Sequence, residues 1–423
     1  MRTISLTENV NLHLHPTAQF KDVTIRMELL MPFRREDLAG SMLLSFLLSD
    51  VCRRYPTKAD SQRSSDTLYG GVFTARSTTR GCASIFEFTC TVVDGRFVKD
   101  GHLLEKQIAW MSEYIMRPLM DHGRFEEHLY AECIRKLKDL VELSLDRPSD
   151  AAAEAAASAC GGLYGQKGLP TDGEIAALRN EDTAALYARM LAESAIDIIV
   201  IGNPDETVCE REIRRLFPFA PRQAQREFLY VSHEAKSAQI EQRRRISQSS
   251  LVLIYETSMS YTDPLSSAFM LGNGMLGGLP TSLLFQQVRE KNGLCYDISS
   301  ENEVYDGILM IEADVECGSE DLAEELIRKQ VERIQGGDFT DELLDSTRIM
   351  YAGSWKSSRD SVRSLIWDDY RSILLGREDS VEARIDQFKK VTREQVIEAW
   401  RNVAFRVRCR FMPQEEEPDE SSH

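Results

Sequence analysis

The stretch LGNGMLGGLPTSLLFQQVREKNGLCY, Leu271 to Tyr296, starts apolar, passes through a glycine-rich run at Gly272–Gly278 and resumes an apolar helical pattern. It closes on Arg289-Glu-Lys-Asn-Gly-Leu-Cys-Tyr296. The order reads as helix, glycine-rich turn, helix, and then the start of a strand. The glycines do not spell a nucleotide-binding loop, because no Gly-Lys-Ser/Thr follows them. Gly277-Gly278-Leu279-Pro280 instead suits close packing of a helix on a strand.

Working outward, the same order of landmarks occurs twice. Leu294-Cys295-Tyr296 followed by the strand pattern Ile308–Val315 mirrors Leu68-Tyr69-Gly70 followed by Ser84–Val92. Phe339–Leu343 opens a helix as Phe125–Leu129 does, and the strand Phe405–Phe411 matches Ile196–Ile201. Matching landmarks lie roughly 210–225 residues apart, a domain-sized period. The expected division is therefore a first α/β domain over 1–217, a linker rich in Pro, Gln and Arg over 218–245, and a second domain over 246–413. A polar, acidic tail over 414–423 reads as disordered.

Other elements follow from periodicity. Leu12–Pro16 and Val23–Glu28 alternate as strands, Leu38–Tyr55 is spaced as a helix ending before Pro56, and Gly101–Met116 and Phe125–Leu143 are amphipathic. The alanine-rich Asp150–Cys160 has high helix propensity and stops at Gly161-Gly162. Asp182 or Thr183 caps a helix to Glu193, and Thr392 with Gln395 offers a capping box.

The chain has 423 residues, 42% hydrophobic and 28% charged, which is globular composition. Its longest apolar runs fall short of a membrane span, and Met1–Glu8 lacks the apolar core of a secretory signal, so a cytoplasmic protein is expected. Nine scattered cysteines without a CxxC pair suggest reduced, mostly buried thiols. A formal charge of −17 argues against nucleic acid, and the one basic run, Arg243–Arg245, has no interleaved aromatics.

The Leu271–Tyr296 string closely resembles the second domain of the M16 peptidases, the pitrilysin and insulinase group, in which an LGGG-containing turn precedes REKxGLxY. The resemblance covers nearly the whole chain and implies an α+β fold of two tandem homologous M16-type (LuxS/MPP-like) domains, each an antiparallel-rich sheet covered by helices. It also implies that Arg289 and Tyr296 hold a substrate peptide backbone, a task a guanidinium and a phenol can perform by hydrogen bonding. The competing reading pairs Arg289 with a carboxylate and packs Tyr296 into a strand.

The family's zinc motif, HxxEH, lies on the first long helix of the first domain. Counting back from Tyr55-Pro56, its positions fall on Met42, Ser45 and Phe46, which offer neither nitrogen ligands nor a general base, so no zinc or other cofactor is expected in this chain. Glu132 falls near the family's third ligand and reads as a surface carboxylate. His102-Leu-Leu-Glu105-Lys106 imitates the motif in the wrong place, with a lysine that cannot ligate. His13 and His15 share one face of an extended segment, where a third ligand would complete a metal site, although an ordinary edge strand fits them better. No nucleophile elbow or catalytic cysteine string occurs.

The chain particularly resembles the zinc-less YmfF-like paralogues, whose group name links them to 5-aminopentanol modification of elongation factor P and which pair with a zinc-bearing relative. The resemblance implies a non-catalytic, peptide-binding subunit that supplies Arg289 and Tyr296 to an M16 sister chain carrying HxxEH. A peptide-binding or assembly scaffold without a role in proteolysis is the alternative, and a self-sufficient metallopeptidase is a distant third.

Overall fold

A computed structural model describes residues 1–229 and 235–414. The expected acidic tail lies, from residue 415 on, outside the described residues. The chain packs as two units that exchange segments: Met1–Val141, Leu169–Phe228 and Ser358–Asp379 form the first, and Glu142–Gly168, Leu229–Ser357 and Ser380 onward form the second.

In the first unit β1 (Arg2–Thr7), β2 (Val10–Pro16), β3 (Asp22–Pro32), β4 (Val72–Arg80) and β5 (Ala83–Val93) precede a two-stranded hairpin, β6 (Met120–Asp121) with β7 (Arg124–Phe125). With β8 (Ala195–Gly202) the larger strands form a six-stranded sheet in the order β1-β2-β8-β3-β5-β4, antiparallel except for β2 with β8. Its core face carries Leu12, Leu14, Ile25, Met27 and Leu29 against Met111, Tyr114 and Ile115 of the helix Leu103–Met116.

The second unit repeats the plan. β9 (Ala238–Arg244), β10 (Ser249–Glu256), β11 (Cys295–Glu303), β12 (Ile308–Val315) and β13 (Ala404–Pro413) run in the order β11-β12-β10-β13-β9, with β9 and β13 the parallel pair. Removing β1 makes the two strand orders correspond one to one, so the repeat seen in the sequence is a repeat of topology. Strand β10 is buried on both faces. Leu251, Leu253 and Tyr255 meet Phe269 and Trp400, whose rings stack at 4.8 Å, while Val252 and Ile254 face the other way.

Packing departs from the contiguous segments 1–217 and 246–413. The alanine-rich helix Pro148–Cys160 lies on the second sheet, where Ala151, Ala152 and Ala156 pack with Val252, Ile254, Val407, Cys409 and Phe411. The helix Val362–Leu375 belongs to the first unit. Nor is 218–245 simply a linker. Phe228 accepts a backbone bond from Cys82, and Ala238–Arg244 pairs with β13 as a strand. Within the basic run, Arg244 stacks on Phe411 at 3.9 Å and Arg243 donates to the Pro413 carbonyl. The first long helix spans Arg35–Leu47, because the chain then closes a tight turn in which Cys52 and Tyr55 exchange backbone bonds of 3.1 Å. All nine cysteines are free, and seven are buried. No helix among the described residues is long and apolar enough to cross a membrane.

Candidate functional site

The Leu271–Tyr296 string builds one corner of the second unit. Its glycine run is helical rather than a turn, since the helix Ser266–Asn273 continues as a turn of π-helix over Gly274–Gly278. Such segments recur at functional sites. A Cβ on Gly277 would lie 2.8 Å from the Ser300 nitrogen and 2.7 Å from its Oγ, so glycine here lets the helix seat directly on β11. Asn273 secures the contact: its amide donates to the Ser300 carbonyl at 3.3 Å, and the Ser300 hydroxyl donates back to Asn273 Oδ1 at 2.6 Å.

A second π-helical stretch, Phe285–Glu290, carries Arg289. The chain then reverses through Gly293, whose φ of 63° lies in the left-handed region that glycine adopts without strain. This reversal returns Tyr296 to Arg289. The register of β11 against β12 slips between Cys295 and Asp297, leaving Tyr296 as the extra residue of a β-bulge. Its side chain is therefore turned out of the sheet and is 76% exposed.

The Arg289 guanidinium lies 4.6 Å from the Phe285 ring centre and 5.4 Å from that of Tyr296. Among the described residues it has no carboxylate partner, so the ion-paired reading does not hold. Cation–π contact with two rings holds the guanidinium in place while leaving its five N–H donors available. Strand β11 is an edge of its sheet, so one row of its backbone N–H and C=O groups is also open. The corner can thus offer hydrogen bonds to an extended peptide from a guanidinium, a phenol and a strand edge.

The positions expected for zinc ligands do not fit a metal. Met42 and Phe46 pack against the first core, and the Ser45 hydroxyl donates back to the Met42 carbonyl at 2.6 Å. Glu132, near the expected third position, accepts from Lys58 Nζ at 2.7 Å and lies 3.3 Å from Lys136 Nζ. Hydrogen bonds from these lysines hold its carboxyl below the usual range. Two ammonium groups thus compensate the charge that a cation would otherwise meet. No group of three or more His, Cys, Asp or Glu suited to a metal occurs among the described residues. His102 is exposed and lies beside Glu105 at a helix start.

His13 and His15 are taken by separate carboxylates. His13, buried in β2, lies 2.9 Å from Asp197 and 3.0 Å from the Thr3 hydroxyl, whereas His15 lies 2.7 Å from Asp369. The strand β2 is internal rather than an edge, flanked by β1 and β8.

The sequence reading missed what lies beside them. Asp197 of β8, Glu28 of β3 and Glu87 of β5 are directly opposite one another, forming a row of three carboxyl groups across adjacent strands. Like charges so placed repel. Arg26 bridges Glu28 and Glu87, and Arg226 binds Asp197 at 2.7 Å. Burial would raise Asp197, but the His13 hydrogen bond and the Arg226 charge bring it below its ordinary value. Burial is also the main cause that pushes Glu28 up to about 7, with Arg26 opposing and Asp197 adding to it. The middle carboxyl is therefore protonated more readily than Asp197.

Residues 177–351 match the model of the peptidase M16 inactive domain. The chain is 24% identical over 393 residues, 92% of each chain, to a Bacillus subtilis (strain 168) protein named "Probable inactive metalloprotease YmfF". Over 127 residues, 29% of this chain and 31% of the relative, it is 28% identical to that organism's "Uncharacterized zinc protease YmxG". Its fold matches the crystal structure of a conserved protein from Enterococcus faecalis V583 with a TM-score of 0.91, at 23% identity and covering 98% of this chain and 99% of that one. The chain is thus similar to inactive M16-type peptidase homologues, and Met42, Ser45 and Phe46 stand where the zinc motif would fall.

Proposed function

We propose that this chain is the non-catalytic, peptide-binding subunit of a heterodimeric M16-type zinc peptidase, and that it supplies Arg289 and Tyr296 to a sister chain carrying HxxEH. The observation that carries the reading is the contrast between the two units. The zinc positions are filled by a thioether, a hydroxyl and a phenyl ring, whereas Arg289 and Tyr296 are brought together, unpaired by any carboxylate among the described residues and presented on a bulged edge strand. A residue kept only for packing would not be turned outward in this way. In this reading the chain itself holds no zinc, and the metal belongs to the partner. Positioning and metal chemistry then sit on separate chains, which is physically workable because holding a substrate in a reactive pose is itself a large part of catalysis.

The test is co-expression with an HxxEH-bearing M16 chain. The expected result is a one-to-one complex by size exclusion with light scattering, cleaving peptide where neither chain does so alone, and with zinc only in the partner. Separate elution at micromolar concentration, or about one tightly held zinc in this chain purified alone, would overturn the proposal.

A further inference from the structure

Strand β11 is the outer strand of the second sheet, and its two faces carry opposite chemistry. Ile298 and Ser300 are buried on the core side, so Asp297, Ser299 and Glu301 alternate outward, and all three are exposed. The pairing carries this pattern one strand further in. Asp297 stands opposite Asp314, Ser299 opposite Glu312 and Glu301 opposite Met310. Beside the open backbone edge, the outward face therefore presents four carboxyl groups on two adjacent strands.

No cation balances them. Among the described residues Asp297, Glu301 and Glu312 make no ion pair, and Asp314 accepts from the Ser250 hydroxyl at 3.0 Å rather than from a charged group. The helix Pro148–Cys160, packed on this sheet, adds Asp150, which lies 3.6 Å from its own partner Arg147. Burial pushes half-buried Glu312 up to about 7, and Glu301, Asp150, Asp314 and Asp297 each add to the shift. By contrast Glu256 and Glu324, buried elsewhere in this unit, are paired with Arg406 and Arg328, each at 2.7 Å. Like charges on neighbouring strands destabilise a sheet. The missing countercharge thus falls beside the strand that also carries Tyr296 and an open row of backbone groups.

We propose that the peptide held along the β11 edge is a basic one, with Lys or Arg at alternate positions facing Asp297, Glu301 and, across Ser299, Glu312. The proposal rests on the reading of Arg289, Tyr296 and this edge as the peptide-holding corner, and it names the class of peptide. A segment that pairs with an edge strand adopts the strand's alternation, so every second side chain meets the outward face. Asp297 and Glu301 are four residues apart and address positions i and i+4 of such a segment. Position i+2 faces Ser299. That side chain is small, so a long cationic one can lie over it and reach the Glu312 carboxyl, one strand spacing of about 4.8 Å further in. Arg289, which can only donate, serves backbone carbonyls at the Tyr296 end. An acidic segment meets repulsion along the whole edge, so the face selects against wrong partners as well as for right ones.

The test is fluorescence anisotropy on the full chain at low ionic strength with short fluorescein-labelled peptides. One alternates Lys with Val, a second has the same composition with its lysines consecutive, and a third carries Ser in place of Lys. The alternating peptide should bind about tenfold tighter than the Ser peptide and severalfold tighter than the consecutive one. Asp297→Asn combined with Glu301→Gln, both exposed changes, should cut the Lys-to-Ser ratio to about twofold, whereas Glu342→Gln, on an exposed helix start, should leave it alone. Arg289→Ala should weaken all three peptides. Equal affinity for all three, lost in Arg289→Ala, would overturn the basic preference and leave the peptide-holding reading intact. Binding of none would overturn both. Equal affinity for alternating and consecutive lysines, unmoved by the double variant, would mean diffuse attraction to a chain of charge −17 and would also overturn the proposal.

Discussion

The two sheets share a strand order and differ in what their second faces carry. In the second unit the centre of that face is apolar, Val252, Ile254, Val407, Cys409 and Phe411 lying under a helix whose contacts there are alanines, with a single half-buried Glu312 opposite Val252. In the first it holds Asp197, Glu28, Glu87 and Arg26 under a helix bearing Trp367 and Tyr370. The first arrangement costs stability, because burying carboxyl groups in a row is unfavourable unless each is neutralised or paired. The difference teaches that one topology tolerates opposite chemistries on the same face, provided each covering helix matches. Small residues allow close apolar contact in one unit, while arginines, a histidine and the raised pKa of Glu28 ease the charge in the other.

This comparison can be broken by mutation. The largest effect is expected at Phe411, fully buried beneath the alanine-rich helix. Phe411→Ala should lower unfolding stability by about 3–5 kcal/mol in urea titrations, and a loss below about 1 kcal/mol would show that the face is not a packed core.

Glu28→Gln should behave in the opposite sense and depend on pH. The folded-state pKa of about 7 lies above the ordinary 4.5, so the folded state binds more protons and the wild type loses stability as pH rises through this window. The variant lacks this slope and should gain on the wild type, by up to roughly 3 kcal/mol above about pH 7. Parallel pH profiles of the two proteins would mean that Glu28 is not the proton holder.

Ala156→Leu, which forces a branched side chain between helix and sheet, should cost about 1–3 kcal/mol in thermal or urea unfolding. Tolerance without loss would indicate slack in that interface. The smallest effect is expected at Glu312 of β12, which burial and Glu301 also push up to about 7. It is only half-buried, so Glu312→Gln should gain less than about 1 kcal/mol at alkaline pH after solvent screening. A gain as large as that of Glu28→Gln would erase the contrast between the two sheets.

Much of the architecture was legible. Period-2 alternation located β2, β3 and β5, an apolar run located β8 as a buried strand, and the order of landmarks revealed the repeat, because the same turn and strand chemistry was written twice. The exchange of helical segments was not legible. Propensity identifies the helix Pro148–Cys160 but carries no information about which sheet its alanines will meet. Arg289 and Tyr296 were singled out from spacing and resemblance, but the reversal at Gly293 that brings the guanidinium to 5.4 Å from the Tyr296 ring was not read. The bulge that turns Tyr296 outward depends on pairing with β12 and could not be read locally. The carboxyl row was missed because Thr24, Arg26 and Glu28 alternate with apolar residues, and alternation ordinarily marks a solvated face. One signal was available: Asp197 stands alone among isoleucines in a strand read as buried.

The central claim is that this chain contributes substrate-holding groups and no catalytic metal, and turnover by the reconstituted pair tests it most directly. Tyr296→Phe preserves ring volume and removes one hydroxyl, while Arg289→Ala removes a charge-assisted donor. Transition-state stabilisation should fall by roughly 1–4 kcal/mol per change, about a tenfold to thousandfold drop in peptide cleavage, with circular dichroism and complex mass unchanged. Full activity in both variants, with pairing intact, would contradict the account and leave a scaffold.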